Sequence, residues 1–296
     1  SRKRRGPFTG GTMKRKLPIG IQDFVKIREG GYCYVDKTAQ IHKLVTGSGG
    51  VFFLSRPRRF GKSLLCSTLG ALFEGRRELF GPIAEQPPLA IDGLDWEWKK
   101  YPVIRIDLNP GNYTAGIEHL NARLYNNLDN IARNAGLSLR GDLAAEQFYN
   151  LIRDMTEQAG QKVVVIIDEY DKPLLTTIDA PEVHAQIRSA LKGFYGVLKS
   201  ADAGLRLVLL TGVTKFSQVS VFSDLNNLTD ISLNPNFYDL CGITQEELEA
   251  NFEGEIDEVV RKKNIDKNEY LAKVKRFYNG YRFSRKPDTV YIPLDS

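Results

Sequence analysis

The feature that most constrains this 296-residue chain is a cation-rich loop between a predicted strand and a predicted helix. Residues 51–54 form a compact apolar run, and from Ser63 onward apolar residues recur at helical spacing. The loop between them reads Arg56-Pro57-Arg58-Arg59-Phe60-Gly61-Lys62-Ser63. It fits the pattern GxxxxGK[ST], except that Arg56 stands in place of the first glycine. The sequence therefore predicts a strand, a phosphate-binding loop and a helix in immediate succession.

This loop has a physical reason to bind nucleotides. Backbone N–H groups and a helix N-terminus converge on the β-phosphate, the lysine reaches the γ-phosphate, and the Ser/Thr hydroxyl ligates magnesium. Because Arg56 has a Cβ, the loop must begin in a conformation open to such a residue or be slightly reshaped. The predicted nucleotide-binding residues here are Arg56, Pro57, Arg58, Arg59, Phe60, Gly61, Lys62, Ser63 and Leu64.

A simpler interpretation is that Gly61, Lys62 and Ser63 only begin a helix, since such a tripeptide often occurs by chance. The surrounding charge argues against it. Four cations fall within seven residues, a costly concentration unless an anion or solvent neutralises it. We therefore expect the loop to bind a nucleotide.

An acidic pair follows the most apolar strand of the chain. Residues 163–167 are an uninterrupted β-branched run, as expected of a central strand buried on both faces. Asp168 is predicted to hold magnesium together with Ser63, and Glu169 to act as the base toward water, with Lys62 as the second catalytic residue. Two acids in a solvated loop would not explain their place at the end of this strand.

A third feature follows residues 205–210, the next apolar run. Thr211 and Lys215 lie where a neighbouring strand would present a polar group to the γ-phosphate. Threonine at a strand end is common, so an ordinary structural role for Thr211 remains open.

The order of elements predicts an α/β fold. Four apolar runs alternate with helical patterns, which indicates a parallel sheet covered by helices on both faces. The predicted strands are residues 51–54, 101–108, 163–167 and 205–210. We expect an ATPase-like core over residues 13–243. Polar helices over residues 246–252, 256–262 and 270–278 predict a small helical lid or appendage over residues 244–296.

The net charge of +5 has a local origin. Residues 1–16 hold seven cations and no acid, leaving 34 basic against 36 acidic residues. Because Met13 follows a linker-like Gly10-Gly11-Thr12 stretch, we interpret residues 1–12 as a cloning remnant rather than a native arm.

Composition excludes several classes of protein. Hydrophobic residues make up 42% and charged residues 26%, values typical of a folded chain. The three cysteines are far apart and lack CxxC spacing, and the three histidines stand alone, so neither disulfides nor a zinc site is expected. No apolar stretch approaches a membrane span and no secretory signal is present, so we expect a cytoplasmic protein without membrane contact.

Several motifs together resemble the AAA-ATPase-like family of bacterial and archaeal proteins. They are residues 17–24, 34–38, 55–63, 168–174 and 210–217, which read LPIGIQDF, YVDKT, SRPRRFGKS, DEYDKPL and LTGVTKFS. The match runs from about Lys16 to Phe283. The resemblance implies a P-loop fold of the ASCE type, related to archaeal STAND-like ATPases whose loops also begin with Pro-Arg-Arg.

The resemblance carries two further implications. A segment containing an aspartate before the loop lies near the adenine in that family, which maps onto Asp36, although helix capping by Asp36 explains the residue equally well. Family members usually continue into a PD-(D/E)XK nuclease-like domain after a segment like residues 279–283. We expect that domain to be missing here, since Glu97-Trp98-Lys99 is a chance match to its motif.

We therefore predict a regulatory P-loop module that binds ATP with Mg²⁺ and hydrolyses it slowly to ADP and phosphate. GTP is an alternative nucleotide, although no guanine-reading motif is present. A non-hydrolysing nucleotide switch is a second alternative, suggested by Arg56. A third is a nucleic-acid-binding module in which Arg56, Arg58 and Arg59 contact the phosphate backbone, although Asp168 and Glu169 would repel it. Otherwise nucleic acid is expected to be an indirect partner at most.

Overall fold

A five-stranded parallel sheet forms the centre of the computed structural model, which describes residues 16–47, 50–84, 86–215, 221–222, 225, 227–284 and 289–293. The strands are β1 (Val51–Ser55), β2 (Val103–Asp107), β3 (Val163–Asp168), β4 (Leu205–Gly212) and β5 (Leu228–Asp230). Their order is β2-β3-β4-β1-β5, and every pairing among them is parallel. The α/β prediction is confirmed. The predicted cloning remnant, residues 1–12, lies outside the described residues.

The strand that the sequence did not predict is β5. It has three residues, and two of them are exposed at the edge of the sheet beside β1. So short a segment shows no period, which is why hydrophobic patterning misses it.

Helices surround the sheet. They are α1 (Phe24–Glu29), α2 (Thr38–Thr46), α3 (Lys62–Phe73), α4 (Ile117–Asn134), α5 (Ala144–Ala159), α6 (Lys172–Thr176), α7 (Pro181–Ser200), α8 (Gln245–Lys263) and α9 (Lys267–Tyr278). The two helices predicted over residues 246–262 form one element, α8, with a kink at Phe252. Within the described parts of the chain, no helix combines the length and apolarity needed to cross a membrane.

Two apolar layers lie on opposite faces of the sheet. Alternate residues of β3 serve both: Val165 packs into the layer that includes α4, α5 and α7, while Val164 packs into the layer that includes α1, α2 and α3. Burial on both faces explains why β3 and β4 are continuous apolar runs rather than alternating ones.

Parallel pairing brings the carboxyl ends of the strands to one edge. Asp107 of β2 pairs with Asp168 of β3, and Ser55 of β1 pairs with Gly212 of β4. In open α/β sheets ligands bind at this edge, so the fold places the predicted site where a crevice is expected.

A buried arginine fixes α1 against the segment that follows α3. Arg28 is 2% exposed, and its guanidinium donates to the carbonyls of Leu79 (2.7 Å) and Gly81 (2.8 Å) and to Gln86 Oε1 (2.6 Å). Burial lowers the pKa of Arg28. No sequence pattern indicates this role, because most of its partners, which also include the Pro87 carbonyl at 3.4 Å, are backbone carbonyls.

We expect Arg28→Ala to lower the free energy of unfolding by about 3 to 5 kcal/mol, because it leaves buried acceptors without a donor. The matched control is Arg133→Ala. Arg133 is 66% exposed and pairs with Asp129 one helical turn away, a contact worth about 0.5 kcal/mol or less. Urea unfolding midpoints of the two variants measure the difference. Equal losses would contradict a structural role for Arg28.

Candidate functional site

The loop between β1 and α3 presents an open helix N-terminus. Arg59 (φ +66°) and Gly61 (φ +87°) adopt left-handed conformations, and Gly61 is the N-cap of α3. Gly61 has no side chain with which to cap this helix, and the first turn of the helix contains no acidic residue. Its first N–H groups and the positive end of its dipole are therefore available to an anion.

Lys62, the first residue of α3, is almost completely buried. Its Nζ donates to the carbonyls of Arg56 (3.0 Å) and Pro57 (3.1 Å) and lies 3.1 Å from Glu169 Oε1. An ammonium group has three donors, and here three acceptors face it. The lysine thus ties the loop to the acidic end of β3, two features that the sequence placed in one site.

Asp168 and Thr211 form a buried pair at the ends of β3 and β4. Thr211 Oγ1 donates to Asp168 Oδ1 at 2.5 Å and accepts from the backbone N–H of Glu169 at 3.3 Å. Asp168 is 3% exposed and Thr211 is fully buried. Glu169 adopts a left-handed conformation (φ +57°), which is uncommon for a residue with a side chain. The hydroxyl therefore orients both acids.

Asp171 fastens the acidic segment to the end of β4. Its Oδ2 accepts from the N–H groups of Val213 (3.0 Å) and Thr214 (2.8 Å), and it is fully buried. Tyr170 reinforces the contact by donating its hydroxyl to the Thr214 carbonyl. Burial raises the pKa of the Asp171 carboxyl, although these N–H donors act in the opposite direction. The segment carrying Glu169 is thus held at two further points.

Arg56 has a structural role that its place in the loop did not predict. Its side chain is fully buried, and its guanidinium donates to the carbonyls of Ser232 (2.8 Å) and Phe237 (3.0 Å) and lies 4.0 Å from the ring centre of Phe283. Burial lowers its pKa to about 10, so it stays charged at neutral pH. A guanidinium enclosed in this way reaches a nucleic-acid backbone only if it leaves these carbonyls, and the nucleotide-binding role predicted for Arg56 stays a prediction. Arg56 anchors the loop.

The other predicted loop residues occupy distinct places. Arg58 and Arg59 are exposed, Phe60 is buried, and Pro57, Gly61, Ser63 and Leu64 are half-buried. Arg58 and Arg59 therefore remain the loop cations that solvent or an anion can reach.

Asp36 is engaged by the protein itself. Its Oδ1 accepts from the N–H and hydroxyl of Thr38 at the start of α2 (2.8 and 2.7 Å), and its Oδ2 accepts from the N–H of Ala90 (2.7 Å). These contacts support the capping interpretation. Lys215, in turn, pairs with Asp230 of β5 at 2.7 Å rather than standing beside Lys62.

A cavity of about 450 Å³ adjoins the loop. Arg59, Gly61 and Leu64 line one side, Tyr34 and neighbouring N-terminal residues line another, and Phe252 and other apolar residues of α8 and α9 close it. The volume falls within the range of small-molecule sites. Residues of the predicted helical lid or appendage therefore line the same cavity as the start of α3.

Sequence analysis missed two residues beside the acidic pair. Burial raises the pKa of Asp107, with Asp168 adding to the shift through its negative charge. Cys66 of α3 is buried near Asp168 and Thr211, and burial raises the pKa of its thiol. Asp107 ends an apolar strand as Asp168 does, so the same signal could have found it. Cys66 lies within an apolar helix face and gives no such signal.

Comparison with known proteins gives the chain its relatives. One, described as an uncharacterized protein in the vnfD 5′ region of Azotobacter chroococcum mcd 1, is 40% identical over 283 residues. That match covers 95% of this chain and 51% of the relative, so the chain spans about half the relative's length. Residues 18–222 match the family model described as Predicted AAA-ATPase, and they include the loop, Lys62 and the acidic end of β3. The chain therefore belongs to the AAA-ATPase-like family.

Proposed function

We propose that this chain binds ATP with magnesium at the loop before α3 and hydrolyses it slowly, as a regulatory module. Membership of the family supports an ATPase-type function and nucleotide binding. The observation that carries the proposal is the position of Lys62, buried between two loop carbonyls and Glu169 at an uncapped helix N-terminus. A lysine so placed brings together the phosphate-binding and the acidic halves of a hydrolytic site.

The nucleotide has a place for both of its ends. The phosphates would lie at the N-terminus of α3, where Gly61 permits a close approach of the backbone and Arg58 and Arg59 add positive charge. The nucleoside would enter the adjoining cavity, whose lining is largely apolar and includes Tyr34 and Leu64. An apolar pocket with a charged mouth suits an aromatic base that carries a polyphosphate.

Magnesium fits the donors present. Asp168 and Ser63 offer oxygen ligands, which this cation prefers, and Thr211 holds the carboxylate of Asp168 in position. Among the described residues, no three His, Cys, Asp or Glu side chains group as a metal cage. When bound, magnesium would neutralise phosphate charge as the bond to the leaving group breaks.

The chain's own residues then have separate roles. Lys62 exchanges its bonds to Arg56 and Pro57 for phosphate oxygens, and this exchange also ends its ion pair with Glu169. The freed carboxylate of Glu169 accepts a proton from the attacking water. The ion pair accordingly keeps the base neutralised until a phosphate takes the lysine. We expect this competition to slow turnover.

We expect Lys62→Ala to weaken ATP affinity about ten- to a hundredfold, because it removes a charge-assisted contact to phosphate. Isothermal calorimetry with Mg-ATP measures the change. Lys199→Ala, which removes an exposed lysine of α7, is the matched control and should bind as the parent does. Equal affinity in the parent and in Lys62→Ala, with both folded by thermal melting, would overturn the phosphate-loop assignment.

The two acids should separate binding from turnover. Glu169→Gln should keep ATP affinity within a few fold and slow phosphate release about a hundred- to ten-thousandfold, the usual contribution of a positioned base. Asp168→Asn should instead weaken magnesium-dependent binding. Phosphate release assays and calorimetry with and without magnesium distinguish the two effects.

Two results would change the assignment. If the parent binds ATP but releases no phosphate above buffer, Glu169 has no catalytic role and the chain is a nucleotide switch. If Glu169→Gln loses binding while Asp168→Asn does not, the roles of the two acids are reversed. In either case the loop remains the nucleotide site.

A regulatory ATPase module acts on another domain or protein. The relative from Azotobacter chroococcum is about twice as long as the region it shares with this chain. We propose that in proteins of that length the nucleotide state is passed to a further domain, with a nuclease-like domain as the candidate that the family resemblance suggests. We place this activity in the cytoplasm, where ATP and magnesium are both abundant.

A further inference from the structure

We infer that an aromatic turn far along the chain, residues 281–283, positions the phosphate loop and sets its affinity for nucleotide. The inference rests on the proposed function, since it concerns the same loop. It assigns a role to Phe283 and Tyr281, which lie more than 200 residues after the loop.

The aromatic turn contacts a residue at each end of the loop. The ring of Phe283 lies 4.0 Å from the guanidinium carbon of Arg56, the first loop residue. Phe60, the residue before the N-cap glycine of α3, packs edge-on against Tyr281 (ring centres 4.7 Å apart) and Phe283 (5.4 Å). Between these two ends only Pro57, Arg58 and Arg59 remain, and both arginines are exposed.

Arg56 converts this packing into a constraint on the lysine site. Its side chain is held by Phe283 and by carbonyls of the 232–238 segment, while its own carbonyl accepts from Lys62 Nζ. Its N–H donates to the carbonyl of Gly212 at the end of β4 (3.1 Å). One residue therefore connects the aromatic turn, the sheet edge and the phosphate-binding lysine.

The backbone adds a second connection between turn and loop. The N–H of Val290 donates to the carbonyl of Tyr281, Tyr291 exchanges hydrogen bonds with Ile243, and the N–H of Gly242 donates to the carbonyl of Phe60. Val290 and Tyr291 are buried, so these bonds lie largely out of water. The turn is thus attached to the loop by main chain as well as by side chains.

A pinned loop binds phosphate more tightly than a free one. Wrapping a loop around a phosphate costs conformational entropy, and a loop already held at both ends has less to lose. Coupling is reciprocal, so nucleotide at the loop should in turn hold the aromatic turn in place. Phe283 and Tyr281 are accordingly positioning residues rather than catalytic ones.

The first test is nucleotide affinity in variants of Phe283. We expect Phe283→Ala to weaken Mg-ATP binding about five- to fiftyfold, in the usual range of coupling between sites. Phe283→Tyr, which keeps an aromatic face over Arg56, should restore affinity to within about twofold. The matched control is Phe277→Ala, since Phe277 is 74% exposed on α9 and packs its ring against Tyr278 rather than against the loop.

The second test measures the reciprocal effect on the turn itself. In Arg282→Cys, which places a thiol at an exposed position of the turn and keeps the ring of Phe283, Mg-ATP should slow modification of the new thiol several-fold, and adding Lys62→Ala should remove that protection. The native thiols of Cys33, Cys66 and Cys241 are buried, so their background reaction is slow. This measurement remains informative if Phe283→Ala fails to fold.

The outcomes separate this inference from the proposed function. A parent protein that binds no ATP overturns the proposed function. A parent that binds ATP with the same affinity as Phe283→Ala, or a new thiol in Arg282→Cys that reacts equally fast with and without ATP, overturns the role of the turn alone. Equal weakening by Phe283→Ala, Phe283→Tyr and Phe277→Ala also overturns it, because that result indicates general destabilisation.

Discussion

The buried guanidinium of Arg56 is the contact on which the candidate site depends. A charge enclosed at 0% exposure is costly unless it is hydrogen-bonded, and here the carbonyls of Ser55, Ser232 and Phe237 accept from its two terminal nitrogens, with Phe283 against its face. These partners come from three separate parts of the chain. Arg56 therefore links the loop conformation to the position of the 232–238 segment and to the docking of the aromatic turn. The motif has a flexible glycine at the first position of the loop, whereas Arg56 fixes this position through contacts with distant residues.

The proposed hydrolysis of ATP requires only one side chain near the anchored loop to move. Lys62 lies between loop carbonyls and Glu169, while Asp168 and Glu169 are held by Thr211 and, through the same segment, by Asp171. Thr211 holds the Asp168 carboxylate and the Glu169 backbone by hydrogen bonds, whereas the proposed function requires Lys62 to change partners. A phosphate that arrives at the N-terminus of α3 offers it stronger partners than two carbonyls. In the proposed function, the binding of phosphate by Lys62 therefore also frees Glu169 to act as the base.

The sequence predicted the features whose signal is local. Apolar runs predicted four of the five strands because a parallel sheet buries both faces of its strands, and Gly61-Lys62-Ser63 and Asp168-Glu169 stand directly beside two of those runs. The role of Arg56 was not predictable in this way. Its acceptors are backbone carbonyls as far as 181 residues away, and every residue type has a carbonyl. The packing of Phe60 against residues 281–283 joins rings that are more than 200 residues apart, so no local sequence pattern indicates it. The strand β5 was too short to show a hydrophobic period.

The most direct test of this account is a crystal structure of the chain with magnesium and a non-hydrolysable ATP analogue. We expect the phosphates at the N-terminus of α3, with Lys62 Nζ bonded to them and no longer to Glu169. The adenine should lie in the cavity beside Leu64, and Arg56 should still be bonded to Ser232 and Phe237. An analogue bound elsewhere, or a Lys62 that keeps its ion pair with Glu169, would contradict it. So would a guanidinium of Arg56 that leaves its carbonyls to contact the phosphates.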